Sequence, residues 1–265
     1  MTAPPASPSL PSLFVSHGPP TIAVADCPAR DFLAGLGAAI PRPRAILCVS
    51  AHWETPAPAV SGAVRPETVY DFYGFPDALY RMTYPAPGAP EVAGQVAELL
   101  AEAGLEGTVD PGQGLDHGAW IPLMLIYPDA DIPVAQVAVQ PGRDTRHHFE
   151  LGCALSPLRQ DGVLILGSGN ATHNLRDFRR HGFDDPPVAY AAAFEDWLDD
   201  RLAAGDAAAV IDYRTRGPEA ARNHPSEEHF LPLLVALGAG GAATAQRLHL
   251  SYLHGVLSMS AYAFG

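Results

Sequence analysis

Histidine binds divalent metals as a neutral base and moves protons near neutral pH. This 265-residue chain carries eleven of them. Three stand just past apolar runs. Leu13-Phe14-Val15-Ser16 leads to His17, Ile46-Leu47-Cys48-Val49-Ser50-Ala51 leads to His52, and Val163-Leu164-Ile165-Leu166 leads through Gly167-Ser168-Gly169 to His173. Short Val/Ile/Leu runs suit strands buried on both faces, and the ends of such strands in α/β folds open into ligand crevices. His17 and His52 are expected at the ends of neighbouring parallel strands, where two facing imidazoles begin a divalent metal site. The plainer alternative is that each hydrogen-bonds its own turn.

A metal needs a third ligand. His229 lies beside Glu227 and Glu228, with His224 near, at the start of an apolar helical stretch. A carboxylate would complete a two-histidine, one-carboxylate face suited to iron(II); a histidine would complete a three-histidine face suited to iron, zinc or manganese. Spacing leaves both open, and the glutamates also read as first-turn residues complementing a helix dipole. His173 follows glycines that allow close backbone approach to a ligand. It is a candidate general acid/base, with a fourth metal ligand as the alternative. His117, between Asp116 and Gly118 at a helix start, is a second candidate, and Asp116 could fix its tautomer. His147 and His148 fall mid-helix in a polar run and are expected at the surface. His181, His249 and His254 have no supporting context. Gly167-Ser168-Gly169 has neither the lysine and spacing of a phosphate loop nor the five-residue pattern of a nucleophile elbow.

The elements that must position these groups alternate. Strands are expected over Ser12–Ser16, Ile46 to His52, Ala59–Ala63, Pro133–Val139, Val163–Leu166, Arg247–Leu253 and Val256–Phe264. Helices are expected over Ala29–Ile40, Glu91–Ala103, Ala119–Tyr127, Asp144–Leu158, Pro187–Ala204, Asp206–Tyr213 and Phe230–Leu237. This order predicts an α/β fold, a single domain over residues 12–265 with a central, mainly parallel or mixed sheet flanked by helices. Residues 1–11, rich in Pro, Ala and Ser, read as a loose tail. The segment Tyr70-Asp71-Phe72-Tyr73-Gly74-Phe75-Pro76 sets aromatics among turn residues, as a packed surface loop or a pocket wall does.

Composition narrows the partners. Net charge is 16 − 29 = −13 with no basic cluster, which argues against nucleic acid and against anionic membrane surfaces. The three cysteines lack the spacing of a disulfide framework or a cysteine zinc site. No basic segment followed by an apolar one opens the chain, and no apolar run reaches the length of a membrane span. A cytoplasmic soluble protein is expected.

Five histidine motifs occur in a fixed order: Ser16-His17-Gly18-Pro19-Pro20, Ser50-Ala51-His52-Trp53, Gly114-Leu115-Asp116-His117-Gly118-Ala119-Trp120, Gly167-Ser168-Gly169 with Thr172-His173-Asn174-Leu175, and Glu228-His229-Phe230-Leu231-Pro232-Leu233. Together with Tyr70–Pro76 and Tyr84-Pro85-Ala86-Pro87-Gly88, they resemble the class III extradiol ring-cleavage dioxygenases, in the branch of DOPA 4,5-dioxygenase. The resemblance covers nearly the whole chain after the tail. It implies that His17, His52 and His229 bind one divalent metal, iron(II) for activity with zinc(II) also able to occupy the site. It implies that His173 is the catalytic acid/base, that His117 assists, and that Tyr73 and Phe75 in the aromatic loop contact a flat substrate. The protocatechuate branch uses a glutamate as third ligand, where this chain offers His229. The implied reaction inserts O2 into a DOPA-like catechol by 4,5-cleavage and gives a semialdehyde. A zinc hydrolase on the same histidines, or a non-enzymatic binding protein of the same fold, are the alternatives.

Overall fold

The computed structural model describes residues 9–242 and 244–265. Ten strands lie among the described residues: β1 (Ser12–Ser16), β2 (Ala45–Glu54), β3 (Ala59–Ser61), β4 (Thr108–Asp110), β5 (Val134–Val139), β6 (Val163–Gly169), β7 (Ala245–His249), β8 (Tyr252–Leu253), β9 (Leu257–Ser258) and β10 (Ala261–Phe264). Eight form one sheet in the order β4-β3-β5-β2-β6-β1-β10-β7, and β8 pairs with β9. The centre, β5-β2-β6-β1, is parallel, while β3 and β10 join it antiparallel. The fold is therefore α/β with a mixed sheet, as expected.

Helices cover both faces because the central strands are apolar on both. Along β2, Leu47 and Val49 face one core, with Leu100, Leu151 and Leu234. Ile46 and Cys48 face the other, with Leu33, Trp120 and Leu123. On the first side, helices Thr145–Leu155 and Leu231–Ala239 cross almost in backbone contact. A Cβ on Gly152 would lie 2.1 Å from the Val235 carbonyl oxygen, and one on Gly238 would lie 2.1 Å from that of Phe149. Only glycine admits that approach.

Several expectations shift. β1 and β2 are not neighbours, because β6 lies between them and pairs parallel with both. His52 does not end its strand, since β2 runs on to Glu54; its pairing with β6 stops at Ser50 and its register with β5 breaks after Val49. His147 and His148 are buried rather than at the surface. The His148 ring accepts from the Gln140 backbone N–H and donates to the Asp144 carbonyl, both at 3.0 Å, and His147 donates to the Gln140 side-chain oxygen at 3.0 Å. A polar helical run placed over the end of β5 hid a histidine clamp. The last stretch forms β7 and β10, an antiparallel pair, with the small β8–β9 pair between them. The short exposed strand β4 has no sequence signal.

Within the expected tail, residues 1–8 lie outside the described residues. Leu10 is buried, and its carbonyl accepts from the Arg159 Nε at 2.6 Å. No helix among the described residues is long and apolar enough to cross a membrane.

Candidate active site and metal centre

The site begins with what β6 lacks. A Cβ on Gly167 would lie 2.3 Å from the Pro232 carbonyl oxygen, and one on Gly169 would lie 2.1 Å from that of His229. The Gly-Ser-Gly end thus serves a close approach, but of the chain's own backbone rather than of a ligand. The segment carrying His229 lands on it, and the Asn170 N–H donates to the His229 carbonyl at 2.9 Å. From the other side, the His17 N–H donates to the Gly169 carbonyl at 2.9 Å. One strand end therefore ties down two histidines.

The residue between these two glycines, Ser168, sets the tautomer of His17. Pro122 lies inside the helix His117–Ile126 and has no N–H to give the Gly118 carbonyl four residues back. The Ser168 hydroxyl donates to that freed carbonyl instead. Its proton spent, Ser168 Oγ can only accept from His17 Nδ1 at 3.0 Å, which leaves His17 Nε2 bare.

His229 is arranged likewise, with Nδ1 donating to Glu228 at 3.1 Å. Glu228 thus stands behind the ring that carries the open nitrogen. Glu227 is turned away, accepting from the Tyr213 hydroxyl at 3.0 Å and pairing with Arg214. His224 is buried among Phe194, Tyr213 and Phe230 and donates to the Ala171 carbonyl at 2.9 Å. Neither joins the cluster.

His52 enters from β2 across Gly118, where a Cβ would come within 2.9 Å of its ring. Its Nε2 faces His17 Nε2 at 3.1 Å. Since the latter is bare, the gap needs a proton or a cation. Two nitrogens each about 2.1 Å from one ion, at a right angle, lie about 3 Å apart. One nitrogen each from His17, His52 and His229 lies within 4.8 Å of the others, so three imidazoles converge on a volume that fits a divalent ion. Burial first, then the neighbouring imidazoles, holds His17 and His229 well below the usual histidine range. The same burial, with His117, pulls His52 down to about 3 against the pull of Asp71. All three stay neutral, the form that binds metal.

His117 opens its helix beside this cluster. Asp116, expected to fix its tautomer, points the other way. It caps the helix at Ala119 N and accepts from the Ser50 hydroxyl at 2.6 Å and from the Gln136 side-chain amide. Desolvation raises its pKa to about 6, against those hydrogen bonds. The fixing group is Asp71, from the aromatic loop. It accepts the His117 backbone N–H at 2.9 Å and the Nδ1–H at 2.8 Å, with His52 Nδ1 at 3.5 Å. Burial pushes the Asp71 carboxyl up, but the His117 bonds and the neighbouring imidazoles outweigh it and hold it below its ordinary value. Sequence reading passed over Asp71 because 46 residues separate it from His117.

His173 stands apart from the three converging nitrogens. Its ring stacks on His229, with centroids 3.5 Å apart and planes 11° from parallel. Its backbone N–H donates to the Asn223 carbonyl at 2.9 Å, and neither ring nitrogen has a hydrogen-bond partner among the described residues. Burial first, then His224, His52 and His117, lowers it to about 3.

These five histidines floor a cavity of about 510 Å³, walled by Phe72, Phe75, Phe178 and Leu257, a size typical of small-molecule sites. Phe75 lies edge-on to Phe72, which lies edge-on to His117, both at 5.5 Å. Tyr73 does not belong to the wall and is 92% exposed. Successive residues of an extended segment point opposite ways, so turning Phe72 inward turns Tyr73 out.

The chain is similar to known proteins over nearly its whole length. The model of the family described as the catalytic LigB subunit of aromatic ring-opening dioxygenase matches residues 11–265. A protein of Beta vulgaris named 4,5-DOPA dioxygenase extradiol is 45% identical over 258 residues, 96% of each chain. One of that name from Escherichia coli K12 is 39% identical over 87% of this chain and 85% of its own. A crystal structure of an uncharacterized protein from Escherichia coli K12 superposes with a TM-score of 0.81 at 33% identity, covering 97% of this chain and all of that one.

Proposed function

Because the chain belongs to the family of the catalytic LigB subunit of aromatic ring-opening dioxygenases, we propose which of its groups carry the chemistry, and on what substrate. The protein is an extradiol ring-cleavage dioxygenase that breaks a catechol ring beside the diol. The proposed substrate is a DOPA-like catechol opened at the 4,5 position, the reaction for which its relatives are named. The proposed metal ligands are the Nε2 atoms of His17, His52 and His229, with iron(II) as the working ion. The observation carrying this reading is that these rings converge, and that His17 and His229 have the far nitrogen already spent.

Bound there, the ion would acidify the diol and couple the electrons of ring and O2. His173, with both ring nitrogens unspent, would take a proton from a catechol hydroxyl and return it to the product later in ring opening. Its stacking on His229 holds it beside the metal face. His117, its Nδ1–H committed to Asp71, presents Nε2 to the cavity. Phe72 and Phe75 pack against the flat ring and exclude water. We also place the protein in the cytoplasm, because Cys27, Cys48 and Cys153 are all free, as suits a reducing compartment.

Anaerobic reconstitution with iron(II), followed by L-DOPA or simple catechols in air, should give oxygen uptake and a yellow semialdehyde. Metal-loaded protein that consumes no oxygen with any catechol overturns the reading. His173→Ala should keep its metal and lose turnover by about 10²–10⁴-fold; metal loss equal to that of His52→Ala would make His173 a ligand instead.

A further inference from the structure

The histidine floor and apolar wall account for the recognition of a diol and a ring. They leave one lining residue unexplained. Apart from the imidazoles, Arg179 is the only charged side chain among the described residues that lines the cavity. It is exposed, as is Leu175 at 56%, whereas His17, His117 and His229 are buried. Arg179 therefore marks the solvent side of the cavity and the histidines its floor.

Its neighbours are spoken for. Arg180 and Arg222 both pair with Asp177, at 3.1 Å and 3.3 Å, and the Tyr190 hydroxyl donates to the same carboxylate at 3.1 Å. Arg179 has no ion pair or side-chain hydrogen bond among the described residues. It follows a helical turn, Leu175–Phe178, that Asn174 caps through the N–H groups of Arg176 and Asp177. Asn174 directly follows His173, so a single short turn carries both His173 and this cation.

We propose that Arg179 is a specificity-determining residue that pairs with an anionic group, a carboxylate in chemical class, on the ring substituent of the catechol. The inference rests on the ring-cleavage reading. The diol end of the substrate is drawn to the buried histidines, so a substituent across the ring extends toward the exposed side. The guanidinium fork matches a carboxylate in shape and charge. The match has a purpose in a chain of net charge −13, whose field otherwise repels an anionic substrate.

The test compares wild type, Arg179→Met and Arg179→Glu on three catechols: L-DOPA, neutral 4-methylcatechol, and dopamine, which has the amine without the carboxylate. A solvent-exposed ion pair supports an effect of roughly 1.5- to 5-fold. Arg179→Met should raise the KM for L-DOPA relative to that for 4-methylcatechol by this factor, with kcat little changed. Arg179→Glu should widen the gap and shift preference toward dopamine. Anaerobic binding of 3,4-dihydroxyphenylpropanoate, followed by calorimetry, reads the same contact without turnover. Equal shifts for acid and neutral catechols, or none, overturn the role of Arg179. Failure of wild type to cleave any catechol overturns the ring-cleavage reading, and the binding arm then decides the Arg179 contact alone.

Discussion

The molecule buries two groups of histidines, and they are finished differently. His147 and His148 sit over the end of β5, with rings that lock Gln140 to Asp144. Both rings of that clamp are engaged in structural hydrogen bonds. In the cavity, His17, His117 and His229 spend only Nδ1, on Ser168, Asp71 and Glu228. Their Nε2 atoms are left for something the protein does not supply. Burial and lowered basicity are common to His17 and His229 in the cavity and to His147 and His148 in the clamp. What marks a working histidine is an unspent nitrogen that converges with others and is held in place by a partner on the other side of the ring; the unspent Nδ1 of buried His224 meets no second ligand among the described residues.

The sharpest way to break this contrast is to delete one ring from each group. His52→Ala removes a converging nitrogen and should abolish metal binding and turnover while the fold persists. His148→Ala should keep metal and turnover per folded molecule. It strands the buried Gln140 N–H and should cost about 1–3 kcal/mol in denaturant unfolding. Metal analysis and unfolding of both variants check this. If His148→Ala loses metal and keeps its stability, the contrast is wrong.

A smaller effect isolates the partner behind the ring. Asp71→Asn keeps the shape of the loop but weakens the hold on His117 Nδ1–H. Substitutions at such supporting positions cost about 10–100-fold in activity or metal affinity. We expect that loss in kcat, with metal content unchanged, because Asp71 supports His117 rather than the three converging nitrogens. An unchanged kcat would mean that the tautomer of His117 is irrelevant to turnover.

In the metal-free protein acid acts on both groups in the same direction, and a variant of the clamp isolates its own share. His148 and the equally enclosed His224 are each held down at about 4, chiefly by burial. Unfolded, they take up a proton below about 6.5; folded, only below about 4. In that window the unfolded chain binds more protons, so stability falls as pH falls, by at most about 1.4 kcal/mol per pH unit per histidine. His148→Gln should flatten the slope between pH 6.5 and 4 without changing metal affinity at pH 7. An unfolding midpoint that stays level across that window would show that these rings are not held neutral.

The fold was largely legible because apolar run length and helix–strand alternation are local signals. The placement of His17 just past β1 and of His173 a few residues past β6 read directly from them, whereas His52 lies inside β2, two residues short of its end. The order of strands did not. The position of β6 between β1 and β2 is set by packing across more than a hundred residues, and no pattern in either strand encodes it. The supporting partners were equally illegible. Asp71 sits in a loop whose fold depends on Trp120, which donates to the Val69 carbonyl at 3.0 Å. Glu228 was visible, but as a possible ligand or dipole partner. Tyr73 and Phe75 looked alike in sequence; the inward turn of Phe72 sends Tyr73 out, and the left-handed Gly74 between them breaks the alternation, so that Phe75 reaches the cavity.

The finest test of the contrast lies at Pro122, which touches no ligand and carries no polar group. Restoring an N–H there with Pro122→Ala gives the Gly118 carbonyl its helical partner. The restored N–H then competes with the Ser168 hydroxyl for that carbonyl, which frees the hydroxyl for part of the time to donate to His17 Nδ1 instead. In that state His17 carries its proton on Nε2, the nitrogen needed for metal. The helix itself should gain stability, since proline is the poorest interior residue by about 3 kcal/mol, though packing in this buried segment offsets part of that. Metal affinity should fall by only a few-fold, because an ion can displace the Nε2 proton at the cost of one re-formed hydrogen bond of about 1 kcal/mol. A variant that is more stable yet binds metal more weakly would show that proline is kept for the tautomer it sets at His17. Unchanged affinity would reduce the Ser168 relay to packing.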